Sequence, residues 1–248
     1  MIVAGRTDKG IVRKDNQDHF EIKCVAEDKV VIAVVCDGMG GAKAGNVASR
    51  LAAETFAEAL ANQPGALLDD GLVEDALRDA VTAANRVVHE MARTEPGRRG
   101  MGTTLVGVLV REQEKGKKAY ILNVGDSRAY HISGENIVQI TRDHSLVAEM
   151  LTRGDITQDE AMRHPHRNLI TRVVGTEPQV TCDLFQVNLQ TGDRLLLCSD
   201  GLTNTVTNQE MLEEIQHIPD LDKCCDMLIT LALAAGGPDN ITAVMIRI

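Results

Sequence analysis

Residues 30–41 read VVIAVVCDGMGG: seven apolar residues run into Asp37, and three of the next four positions are glycine. A short, β-branched run bounded by charge before it and glycine after it reads as a buried strand. The same arrangement recurs: Asp126 follows YILNVG, Asp200 follows RLLLCS, and Asp239 precedes NITAVMIRI. Strand ends fix a side chain more rigidly than loop middles do. Carboxylates gathered there repel one another unless protons or cations neutralise them. Hard divalent ions such as Mg²⁺ and Mn²⁺ prefer oxygen ligands, so these aspartates point to a metal site. Glycines beside Asp37, Asp126 and Asp200 would let the backbone approach an ion closely. Any one Asp-Gly pair taken alone is better explained as the start of a turn.

Working outward, further strands are expected at 19–25, 29–36, 103–111, 118–124, 180–188, 193–199 and 241–248, with a hairpin over RAYHISGENIVQI turning at Ser133 to Asn136. Strands joined by such short links are antiparallel, because a parallel return needs a crossover of about a dozen residues or more. Helices are expected over 43–62, 70–93 and 220–235. In the second, Val73, Ala76, Leu77, Ala80, Val81, Ala84, Val87, Val88 and Met91 recur at three- and four-residue steps and form one apolar stripe. The order of elements is not a strict alternation of strand and helix. An α+β fold, sheets covered by helices, fits it better than a doubly wound parallel sheet. Residues 141–175 carry charge, two short helical patterns and no sustained apolar period, and read as a surface excursion of the lid or binding-loop kind.

The totals narrow the function. The chain has 248 residues and no evident linker, and 44% hydrophobic residues provide a sizeable core. Without Trp, and with two Tyr and three Phe, that core is built from aliphatic residues. Aromatic platforms for stacking bases are lacking, and a net charge of -10 argues against broad nucleic-acid binding. An anionic substrate therefore needs a local device to hold it. No apolar run approaches the ~20 residues that span a bilayer, and the first residues lack a signal peptide's pattern, so direct membrane insertion is not expected and a cytoplasmic location is. The six cysteines show no metal-binding spacing and are expected to be buried free thiols. A phosphate or dinucleotide loop at 36–45 is a weak reading, because Gly38 and Gly40 are followed by Lys43 at the third glycine position of GxGxxG.

The ordered set GIVRKDNQDHF, DGMGGAKAG, GTTLVGVLV, NVGDSRAY, LCSDGLTNTV and GGPDNITAV resembles the metal-dependent serine/threonine protein phosphatase family, type 2C, in its compact bacterial form. The match runs from about residue 5 to the last residues, which leaves a single catalytic domain over 1–248. The resemblance implies an αββα sandwich: two antiparallel sheets face to face, helices outside, and two or three Mn²⁺ or Mg²⁺ ions at one end. It implies that Asp37 bridges two ions, that Gly38 offers its carbonyl to one of them, and that Asp200 and Asp239 ligate the other. Asp126 would serve a third site shared with Asp200, Asp18 would orient water from behind the ligands, and Arg13 would bind phosphate. Residues 141–175 would form a flap over the site.

The implied activity is hydrolysis of phosphoserine and phosphothreonine on proteins by attack of a metal-bridging water or hydroxide. The implied partners are phosphorylated proteins, with a serine/threonine kinase opposed by a monomeric phosphatase. Arginine's planar fork fits phosphate bidentately, which answers the acidic surface; its plain alternative is an ion pair with Asp15 or Asp18. Some family members place a histidine two residues after the bridging aspartate as general acid, where this chain has Met39. His19, His144, His164 and His166 are candidates for that proton by residue type only. A silent phosphoprotein binder of the same fold is the main rival; it predicts damaged ligand positions, and none is seen.

Overall fold

The computed structural model describes residues 1–40, 44–113 and 116–248, apart from the Met162 side chain. Gly41 and Lys43, from the glycine-rich stretch, lie outside the described residues. One sheet is built from β1 (Ile2–Asp8), β7 (Arg128–Ser133), β8 (Asn136–Gln139), β10 (Arg194–Cys198) and β11 (Ile241–Arg247), in the order β1-β11-β10-β7-β8. The other contains β2 (Asp18–Val25), β3 (Val30–Met39), β5 (Leu105–Gln113), β6 (Gly116–Val124) and β9 (Asp183–Leu189), in the order β2-β3-β5-β6-β9. The short β4 (Gly102–Thr103) pairs with the end of β3. Every pairing is antiparallel, as the short links require.

The apolar residues sort by the two-residue period of a strand. Val31, Ala33 and Val35 of β3 meet Val106, Val108, Ile121, Leu195, Leu197, Val244 and Ile246 in a core between the sheets. Val30, Ile32, Val34 and Cys36 face the other way, against α1 (Gly45–Ala61), α2 (Pro64–Leu68) and α3 (Val73–Thr94). Burial on both faces explains why β3 reads as an unbroken apolar run. The stripe expected on α3 is the buried one, except that Val87 and Met91 are only half-buried. A third core packs α7 (Asn208–His217) and α8 (Leu221–Ala234) on the outer face of the first sheet. The layers are thus helix, sheet, sheet, helix, the αββα sandwich.

Between β8 and β9 the chain leaves the sandwich and forms α4 (Leu146–Arg153) and α5 (Gln158–Arg163). This is the expected flap. An isolated pairing of Ser145 with Ile170 closes its base, and one of Val174 with Thr103 ties it to β4. Asn85, a polar residue buried on α3, accepts from the Gly175 amide at 2.7 Å and donates to the carbonyls of Glu177 and Pro178. The expected strand at 180–188 is shifted to Asp183–Leu189, and β1, β4, α2 and α6 (Asp200–Thr203) are additions to the sequence reading. All six cysteines are free, but Cys24, on the edge strand β2, is exposed rather than buried.

Candidate metal centre

Asp37 lies within β3, two residues before its end at Met39, and not after the strand as the apolar run alone implies. By alternation it continues the face of Val31, Ala33 and Val35, toward the gap between the sheets. Asp18 of β2 is its register partner and shares that face. Across the gap, the same alternation carries Leu195 and Leu197 to Ser199, and Val244 and Ile246 back to Thr242. The Ser199 and Thr242 hydroxyls both donate to Asp18 Oδ2, at 2.6 and 2.7 Å. Asp18 therefore stitches the two sheets together at the end where the aspartates gather.

Asp200 opens α6 directly after β10, and Asp239 stands just ahead of β11. The glycines beside the aspartates also permit close contact between chain segments. A Cβ on Gly201 would lie 2.0 Å from the Asn240 carbonyl oxygen, so its bareness lets the starts of α6 and β11 touch. A Cβ on Gly38 would lie 2.0 Å from the Gly45 carbonyl oxygen and 2.8 Å from that of Gln17. Both glycines allow chain to meet chain beside the aspartates.

Several residues that the sequence reading did not single out hold this arrangement. The Asp37 amide donates to Thr104 Oγ1 at 2.9 Å, and its carbonyl accepts from the Thr103 hydroxyl and the Thr104 amide. Thr104 and Ser127 share a hydroxyl hydrogen bond of 2.7 Å, linking β3 to the turn that carries Asp126. In that turn the Gly125 amide donates to His144 Nδ1 at 3.1 Å, and the His144 amide donates to the Gly125 carbonyl at 2.9 Å. The Asn240 side chain accepts from the Gln17 amide and donates to the carbonyls of Lys9 and Asp15, fastening the loop that bears Arg13.

Burial of so much negative charge has a measurable consequence. Burial, with Asp200 adding repulsion, pushes the Asp126 carboxyl up to about 7. Asp18 also rises to about 7, mainly through burial and against the help of its two hydroxyl donors. Asp37 is driven well above the carboxylate range by burial and then by Asp18 and Asp200, and Asp200 is raised by burial and then by Asp239. One oxygen each of Asp18, Asp126 and Asp200 is buried without a hydrogen-bond partner. Leaving a buried acceptor unsatisfied costs about 1–3 kcal/mol, more when charged. An all-oxygen donor set with such oxygens fits hard divalent ions, which would supply the missing partners and the opposite charge.

Arg13 Nη2 donates to Asp239 Oδ2 at 2.7 Å, so its carboxylate partner is neither Asp15 nor Asp18. Arg13, Asp126, Asp200 and Asp239 line a cavity of about 730 Å³ beneath the flap. The histidines are dispersed. His19 stands next to Asp18 on β2 and so projects from the opposite face, where it meets Glu21 at 3.3 Å. His144 is buried against the Asp126 turn, His164 is half-buried and His166 exposed in the flap.

A helix-covered double sheet with buried aspartates gathered at one end fits the metal-dependent phosphatase class. The protein phosphatase 2C family profile matches residues 9–232, and the chain belongs to that family. It is 41% identical over 245 residues to the serine/threonine phosphatase stp of Listeria innocua, covering 98% of this chain and 94% of that one. The S. agalactiae serine/threonine phosphatase superposes with a TM-score of 0.92 at 32% identity, covering 100% of this chain and 99% of the other. The catalytic domain of the serine/threonine protein phosphatase PstP, in complex with two manganese ions, gives 0.83 at 35% identity over 98% of this chain and 96% of that one.

Proposed function

We propose that the aspartate cluster holds two or three Mn²⁺ or Mg²⁺ ions and hydrolyses phosphoserine and phosphothreonine on proteins. The chain is a metal-dependent protein serine/threonine phosphatase. The observation that carries the site assignment is the set of partnerless buried oxygens on Asp18, Asp126 and Asp200 at one end of the sandwich, where Asp126 and Asp200 line the same cavity as Arg13. Bound there, the ions would supply charge neutralisation for the phosphoryl oxygens and a water activated at neutral pH.

The residues divide the remaining work. Asp37, the Gly38 carbonyl, Asp200 and Asp239 hold the ions of the main centre, and Asp126 with Asp200 holds a further one. Asp18, fixed by Ser199 and Thr242, keeps its second oxygen for a water in the centre. Arg13 uses one of its five N–H donors on Asp239 and has others for the phosphate. Met39 has no proton to give, so the proton for the leaving alkoxide would come from water held in the centre or from another group. Substrates are phosphorylated proteins, a serine/threonine kinase acts in opposition, and the catalytic unit works as a monomer. No helix among the described residues is long and apolar enough to cross a membrane.

The test is release of inorganic phosphate from a phosphothreonine peptide with Mn²⁺ and with a chelator. Turnover that requires the metal and is lost in a folded Asp200→Ala variant supports the assignment. A folded, metal-loaded native protein that releases nothing would turn the reading to the silent binder.

A further inference from the structure

The cavity at the metal centre has an apolar roof. α4 carries Leu146, Val147, Ala148, Met150 and Leu151, yet none of its residues is buried. Its ends are secured locally, by the Ser145 hydroxyl accepting from the Ala148 amide and by Gly154 in the left-handed conformation at φ 76°. Val147, Ala148 and Leu151, with Ala161 of α5, face the same cavity that Arg13 and Asp200 line from below. Most helices bury their apolar side against a core. This one leaves it only half-buried above a reactive site, as the apolar wall of a binding cavity is. A volume of about 730 Å³ lies within the range that admits a drug-sized ligand, far more than a phosphoryl group fills.

Resting on the phosphatase reading above, we propose that the Val147–Ala148–Leu151 wall is a specificity subsite for an apolar side chain flanking the phosphorylated residue of a protein substrate. The lining supports that occupant. Asp126, Asp143, Asp200 and Asp239 share the cavity with Arg13, Arg128 and Arg167, so charge alone favours neither sign of neighbour. The α4 residues that line it, Val147, Ala148 and Leu151, are all apolar. A leucine would meet carbon there.

The experiment measures kcat/KM of the Mn²⁺-loaded protein on phosphothreonine peptides with Ala at every flanking position, or with Leu, Glu or Lys placed singly on either side. Leu is expected to exceed Ala by roughly 10-fold at one or more positions, the scale of a modest apolar pocket. That ratio should fall toward one in the Val147→Ser/Leu151→Ser double variant and persist in Thr152→Ala, whose residue is exposed and does not line the cavity. Hydrolysis without a Leu preference, a preference for Glu or Lys, or a Leu preference unchanged by the double variant would overturn the subsite while leaving the phosphatase reading in place. Absence of hydrolysis with every peptide would overturn both.

Discussion

Asp18 concentrates the residue-scale physics. It is buried, it accepts two hydroxyl hydrogen bonds, and burial pushes its carboxyl up to about 7 from the ~3.9 of an unfolded chain. A carboxyl raised in the folded state gives stability that is complete below the unfolded value and is lost as pH rises through the folded one. The metal-free protein is therefore predicted to lose stability between about pH 4 and 7, and Mn²⁺ to restore it above pH 7 by binding the folded state only. In metal-free thermal melts, Asp18→Asn should raise Tm relative to native at pH 8 by several degrees, at about 2–4 °C per kcal/mol for a chain of this size. The gain should vanish near pH 5. A gain independent of pH would mean that the charge of Asp18 is not what destabilises the empty centre. Sequence made the aspartates legible because each abuts a recognisable strand. Ser199, Thr242, Thr104 and Asn240 were not legible as their supports, since those hydrogen bonds join residues on different strands and loops, and only the packed sheets bring them together.

At the scale of elements, the site depends on how closely segments approach. Gly201 is the point of contact between α6 and the start of β11, and a methyl group there would lie 2.0 Å from a backbone oxygen that has little freedom to yield. Gly201→Ala is predicted to cost about 1–3 kcal/mol by overpacking, seen as a lower Tm, and to weaken Mn²⁺ binding in a calorimetric titration because it parts Asp200 from Asp239. An unchanged Mn²⁺ affinity would show that these aspartates act independently of that contact. Elements with a strong period were read well: α3 from its stripe, and β3 from a run buried on both faces. β1 escaped because IVAGRTD dilutes its apolar residues with Gly5, Arg6 and Asp8, and its strand character comes from register with β11 along the sheet edge. The flap was recognised as an excursion, but its helices owe their limits to caps rather than to burial, which periodicity does not report.

For the whole molecule, the two sheets form a rigid frame whose dry interior ends at the aspartates. Ile121 sits fully buried between the sheets, and Ile121→Ala is predicted to cost about 2–5 kcal/mol in denaturant unfolding. The surviving folded protein should keep its dependence on Mn²⁺, because the cavity lies in the shared core and not at the centre. Loss of metal dependence in that variant would show that the frame and the site are less separable than the layers suggest. The αββα arrangement was expected from the resemblance; composition and element order alone reached only α+β with antiparallel sheets.

The central claim is that ions held by Asp37 and its neighbours perform the hydrolysis. The most direct measurement is phosphate release from a phosphothreonine peptide across a Mn²⁺ titration, native protein against a folded Asp37→Asn variant. The native rate is expected to rise with Mn²⁺, and the variant to fall short by roughly 10²-fold or more at saturating metal, the scale of removing a major electrostatic contributor. A variant within a few-fold of native at the same Mn²⁺ concentration would contradict it.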